Sequence, residues 1–143
     1  GFPERSDGGQ MPIDVRFDED KELLHITLTG AWPTLPEIVA ERSRLILSGY
    51  IRPTVVELVD ARNVSRGLPN LSQMKMILHA IGNLPSKRAV LVSSNIQYAA
   101  GQLAETLDPH GVRVFREETV ALDWLFDHRR SEADSKATPA KLL

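Results

Sequence analysis

The residues best placed to do chemistry are gathered in one polar run, Asp60-Ala61-Arg62-Asn63-Val64-Ser65-Arg66-Gly67-Leu68-Pro69. The run follows an apolar stretch with the pattern of a buried strand, and in open α/β sheets ligands bind beyond the carboxyl ends of strands. Asp60 at such an end can serve as a general base, as a ligand anchor, or as an acceptor for neighbouring backbone N–H groups. Ser65 stands between Arg62 and Arg66, next to Gly67. An exposed serine there is either an ordinary loop hydroxyl or a phosphoacceptor, whose added charge would alter docking. Two more loops are expected at the same end of the sheet, Ser93-Ser94-Asn95 and Gly30-Ala31-Trp32-Pro33. Ser94 has the position of a helix N-cap, with Ser93 as a strand-end hydroxyl. Trp32, in a proline-containing loop, either lines a pocket or caps the end of the core.

The usual catalytic templates are missing. The chain contains no Gly-x-Ser-x-Gly, so a hydrolase nucleophile elbow is not expected. It has neither Gly-x-Gly-x-x-Gly nor a Walker loop for phosphates. With no cysteine there is no thiol chemistry and no thiolate metal site. His25, His79, His110 and His128 are scattered without metal-ligand spacing, and His79 and His128 suit helix C-termini. No catalytic residue, metal or cofactor is therefore expected. The 17 basic and 19 acidic side chains leave a net charge of −2, which argues against nucleic acid as the partner. No stretch approaches the roughly 18 consecutive apolar residues of a membrane span. The first ten residues have no signal-peptide pattern, so a cytoplasmic protein that is not membrane-integral is expected. Gly1 in place of Met suggests a tag-cleavage scar, with Met11 as an alternative start.

The 143 residues suit one domain. Ile13 to Phe17 alternates apolar and polar, Asp18 to Lys21 is a polar turn, and Leu23 to Gly30 is a second strand, which together predict an antiparallel hairpin. Thr34-Leu35-Pro36-Glu37 has capping-box spacing and opens a helix over Leu35, Ile38, Val39, Leu45 and Ile46 that stops at Gly49. Thr54 to Val59 reads as a strand covered on both faces. The unit then repeats. Asn70 and Gln73 open a helix ending at Gly82, a strand follows over Ala89 to Ser93, and Ser94 with Gln97 opens a third helix rich in small residues. Val112 to Phe115 is the fifth strand, and Glu117-Glu118 begin a last helix with Val120, Ala121, Trp124 and Leu125 inward and His128 to Arg130 at its end. The fold class is therefore α/β: a mostly parallel five-stranded sheet with one antiparallel strand, flanked by four helices. Residues 1–11 read as an N-terminal extension, 12–128 as the domain and 129–143 as a polar tail. The edge of the hairpin offers a route to a homodimer by strand pairing.

This order of elements resembles the STAS domain of anti-sigma-factor antagonists, and more closely its SpoIIAA-like branch, often labelled STAS/SEC14. The likeness is carried by Val55-Val56-Glu57-Leu58-Val59-Asp60-Ala61-Arg62-Asn63-Val64, which is similar to the family's central strand and Asp turn. Arg88 to Ser94, Gln97-Tyr98-Ala99, Val114 to Glu117 and Ala121 to Leu125 add to it, and it spans about Pro12 to Asp127. The resemblance implies a non-catalytic regulatory module that binds a protein partner. Antagonists carry an Asp-Ser-Ser-Gly type motif whose serine is phosphorylated by a partner kinase. Here Val64-Ser65-Arg66-Gly67-Leu68 keeps one Ser and the Gly but lacks the acidic residue and the second Ser, so Ser65 is a loose equivalent. The SEC14 half of the label implies the alternative of a small apolar ligand or lipid, with Trp32, Leu68, Tyr98 and the small-residue helix bordering a cleft. The candidate ligand or partner surface is thus Trp32, Asp60, Asn63, Ser65, Leu68, Ser93, Ser94 and Tyr98.

Overall fold

Ile13, Val15 and Phe17 turn inward between exposed charged residues, and this alternation makes the edge strand β1 (Ile13–Asp18). It pairs antiparallel with β2 (Leu23–Ala31), Ile13 opposite Leu28 and Asp18 opposite Leu23. The structure, a computed structural model, describes residues 13–137 in backbone and residues 13–127 in side chain. The elements that follow are α1 (Leu35–Leu47), β3 (Val56–Arg66), α2 (Leu71–Ile81), β4 (Arg88–Leu91), α3 (Asn95–Leu107), β5 (Val112–Phe115) and α4 (Glu118–Ala137). The strands lie in the order β1-β2-β3-β4-β5, and every pair after the first is parallel. This is the expected α/β class, with the one antiparallel strand at the edge.

The three helix starts read from spacing are real capping boxes. Thr34 and Glu37 close the first, Asn70 and Gln73 the second, and Ser94 and Gln97 the third. Each satisfies two N–H groups that the first helical turn would leave orphaned. The helices α1, α2 and α3 cover one face of the sheet. There Leu45 of α1 packs with Leu24, Ile26, Leu28 and Val64, while Met74 of α2 and Ala104 of α3 meet Val112. Helix α4 alone covers the other face, where Ala121 and Leu125 pack on Leu23, Val56, Leu58, Ala89 and Leu91.

Four expectations need correction. The run Asp60–Pro69 is not a loop: β3 continues through it to Arg66, with Thr29 opposite Asn63 and Ala31 opposite Arg66. Its outward positions are polar, which hides the strand, while Ala61 and Val64 are buried. Ala31 accordingly belongs to β2 and not to the loop after it, and Gly30, read both as strand end and as loop, is part of the strand. Strand β4 ends at Leu91 rather than Ser93. Helix α4 runs to Ala137, past the His128 to Arg130 stretch expected to end it. The extension read for residues 1–11 lies outside the described residues, as does the tail beyond Ala137. No helix among the described residues is long and apolar enough to cross a membrane, and no group of three or more His, Asp or Glu there could hold a metal ion.

Candidate functional site

Side chains alternate across β3, and this splits the candidate residues between the two faces of the sheet. Asp60 lies inside the strand, not at its end, and points to the α4 side, where it is buried. Its carboxylate accepts from the Arg62 backbone N–H at 3.1 Å, from Arg62 Nε at 3.0 Å and from Arg62 Nη2 at 2.8 Å. Arg62 also reaches Glu118 at the start of α4, at 3.4 Å. Burial alone would raise the Asp60 pKa, but the Arg62 side-chain and backbone hydrogen bonds, with the Arg62 charge, outweigh it and hold the carboxyl below its ordinary value. This carboxylate is therefore a charged acceptor for its own neighbour's N–H groups, the structural role open to it from sequence.

Asn63 and Ser65 are exposed on the far part of β3, and the Ser65 hydroxyl donates to Gly30 O at 3.4 Å. Ser65 is thus a strand residue, five positions ahead of the α2 cap, rather than a loop serine. The Ser93 hydroxyl donates to Arg62 O at 3.3 Å and to Gln97 Oε1 at 3.2 Å, and Ser94 is the N-cap of α3. Asp60, Ser65 and Ser93 do not form one hydrogen-bonded set. The group that joins this end of the molecule is Gln97. Its side-chain amide donates to Arg62 O at 3.0 Å and Val64 O at 2.9 Å, while its carbonyl accepts from Ser93 N at 2.8 Å. One buried side chain therefore ties β3 to the first turn of α3. Its cap spacing was visible in the sequence, but its bonds to β3, more than thirty residues away, were not.

Trp32 and Leu68 face the helix side and line a cavity of about 120 Å³ between the sheet and α1–α3. Gly67, at φ +77, lets the chain leave β3 beside the Trp32 backbone in a conformation that side chains disfavour. The Trp32 amide donates to Arg66 O at 2.9 Å, and its indole N–H is buried without a partner among the described residues. Both roles open to Trp32 are met at once: it lines the cavity and packs on the core cluster that includes Leu28 and Val64. The small residues of α3 contribute Ala100, Gly101 and Ala104 to the wall. Tyr98, expected at the same cleft, does not line it: its ring lies under the Arg116 guanidinium, 4.7 Å away, on the outer side of α3.

Sequence reasoning missed the charged end of this cavity. Arg42, Glu57 and Arg88 are 8%, 4% and 3% exposed, and all three line it. Arg42 Nη1 donates to Glu57 Oε1 at 3.2 Å, and Arg88 Nε lies 3.9 Å from the same oxygen. Arg42 Nη2 donates to Ile81 O at 3.0 Å and also to Leu84 O, while Arg88 Nη2 donates to Gly82 O and Leu84 O at 2.9 Å each. Burial pushes the Arg88 pKa down, Glu57 opposes this and Arg42 adds to it. A signal existed: Glu57 interrupts an apolar run, and Arg42 shares a helix face with Ile38 and Leu45.

No protein-family model and no curated protein matches the sequence. Among solved structures, the chain is similar to the crystal structure of an uncharacterized protein of the DUF3478 family, with a SpoIIAA-like fold, from Shewanella loihica PV-4. The TM-score is 0.53 and the identity 23%, over 79% of this chain and 91% of the other. At that identity the likeness is one of fold, and the chain has the SpoIIAA-like α/β fold that the sequence resemblance implied.

Proposed function

We propose that this SpoIIAA-like domain is a non-catalytic binding module that takes a small apolar ligand between its sheet and helices α1–α3. The observation that carries the reading is the cavity of about 120 Å³, walled by side chains such as Ile26, Leu28, Ala61, Met74 and Ala100. An apolar space near 150 Å³ can stay dry and bind a molecule the size of benzene, so a somewhat smaller one takes a single ring or a short chain. The absence of catalysis is supported by Asp60, whose carboxylate is engaged by Arg62, and by serine hydroxyls turned to backbone and Gln97. Titration with toluene, followed through Trp32 fluorescence in a Trp124→Phe background, should saturate. Absence of any response up to the solubility limit would remove the reading.

A second reading, a regulatory protein docked on the strand-end rim, is favoured by Ile96. This side chain is 72% exposed on the turn of α3 that Gln97 ties to β3, and exposed Ser65 lies on that same strand. Phosphate on Ser65 in protein from its own host, together with altered partner retention by Ser65→Asp, would support it. Unmodified Ser65 and unchanged retention would set the switch aside. A homodimer through β1 would have to form beside exposed Asp14, Arg16 and Asp18, charges of the kind that keep sheet edges apart.

A further inference from the structure

We infer that two copies of this chain associate through β1, antiparallel about a two-fold axis at Val15, so that Asp14 of each copy meets Arg16 of the other. The two edges of the sheet differ. On β5 the outward amides are already used: Val112 N donates to Asp108 O at 3.0 Å and Val114 N to Glu105 Oε2 at 2.9 Å. On β1, Ile13–Asp18 pair with β2 in unbroken register, and among the described residues no backbone hydrogen bond reaches their outer side. An edge strand in that state is a template for another strand. It holds no proline and no bulge, two of the devices that blunt an edge. Its exposed charges, Asp14, Arg16 and Asp18, are a third device, but they are of both signs.

Charge selects the register. Side chains alternate along a strand, so Asp14, Arg16 and Asp18 share one face, and Ile13, Val15 and Phe17 share the other. An axis at Val15 sets Asp14 opposite the partner's Arg16 twice and Ile13 opposite the partner's Phe17 twice. An axis at Arg16 sets Arg16 against the partner's Arg16 and Asp14 against the partner's Asp18, so that every outward pair is of like charge. An axis at Phe17 joins Arg16 to the partner's Asp18 but overlaps only the last turnward residues, Arg16 to Asp18, of each strand. These charges therefore hold copies apart in the wrong register and draw them together in one. The Asp14 and Arg16 side chains are more than half exposed and lie 3.6 Å apart within one chain, so each can take a second partner. Val15 and Phe17 are half-buried on the α1 face and have surface left to cover. Opposite charges, and an aromatic ring facing a β-branched side chain, stabilise directly opposed strand positions.

The test is sedimentation equilibrium on the full chain and on its Asp14→Arg and Arg16→Asp variants. The unmodified chain should dimerise. Each single change makes both outward pairs repulsive and should weaken association about tenfold or more. An equal mixture of the two variants should dimerise again, because every outward pair then joins opposite charges. Amide exchange on the unmodified chain gives a readout that needs no variant. Amides of Ile13–Asp18 should exchange more slowly as concentration rises, while those of Val112–Phe115 should not change. A chain that stays monomeric to its solubility limit would overturn the inference, and so would a mixture of the variants that stays monomeric. A dimer that both single changes leave intact, or whose β1 amides ignore concentration, would overturn it too, since association would then use another surface.

Discussion

On the face covered by α4, Leu58, Ala89, Leu91, Ala121 and Leu125 are each 1% exposed or less. Across the same sheet, one residue out of step along β3 and β4, Glu57, Val59, Arg88 and Val90 look into a cavity of about 120 Å³. The two faces are made from the same strands and differ in what alternates inward. One is filled by large aliphatic side chains against a single helix. The other meets small residues of α3 and a buried ion cluster, so space and charge stand where packing would otherwise be. A chain that needed stability alone would fill both faces, because interiors normally pack to crystal-like density. The difference places the tight packing on the α4 side and leaves the side of α1–α3 for the binding role proposed above.

The largest effects should come from removing the groups on which each face depends. Glu57→Ala leaves Arg42 and Arg88 buried without their shared carboxylate, which should lower stability by about 3–5 kcal/mol in urea unfolding. A loss under about 1 kcal/mol would mean that the guanidiniums are held by the Ile81, Gly82 and Leu84 carbonyls alone. Leu125→Ala opens a void on the closely packed face and should cost about 3 kcal/mol, within the range for buried leucines. If Leu125→Ala proved nearly neutral, the α4 side would not be the tight one and the contrast would fail.

How much of this contrast could be read in the sequence follows from distance along the chain. The capping boxes at Thr34, Asn70 and Ser94 span three residues each, and each was legible because donor and acceptor are local. The hairpin and the class of strand order followed from periodicity for the same reason, as did Ala121 and Leu125 on the inward face of α4, whereas Val120, expected beside them, is exposed. The extension of β3 through Asn63 and Val64 was not legible, because polar residues on an exposed strand end and in a loop look alike until β2 is placed beside them. The α1 stripe was misjudged in part: Val39 and Ile46 are exposed, and the inward face runs through Arg42 to Leu45. A cluster that joins positions 42, 57 and 88 has no local signature, and the cavity beside it has none at all. Of the candidate residues, Trp32 and Leu68 reach the cavity, whereas Asp60, read as the end of β3, lies inside the strand and faces α4.

Enlarging one alanine on each face should give effects of opposite sign. Ala121→Leu forces a larger side chain against Leu58 and Leu91 and should cost about 1–3 kcal/mol. Ala100→Leu projects into open space and should stabilise by about 0.5–2 kcal/mol, as cavity-filling changes commonly do, while abolishing the toluene response. Two destabilising results would show that the helix side is as full as the other.

The smallest effect sharpens the contrast by separating two kinds of buried charge. Asp60, paired with a half-exposed Arg62, has a folded pKa below its ordinary value of 3.8. A carboxyl whose pKa is lowered by folding contributes stability above its unfolded pKa, and that contribution disappears as pH falls through the folded value. Comparing the chain with Asp60→Asn should therefore show an advantage for Asp60 at neutral pH. It should stay below about 1 kcal/mol, because the partner is open to solvent and to salt screening. The advantage should shrink as the pH is taken below 3.8 and fade further with added salt. The Glu57 cluster, buried between α1, β4 and the chain after α2, should hold its much larger contribution in the same salt series. If salt weakened both alike, the ion cluster would be reached by solvent and the cavity end would not be a desolvated site.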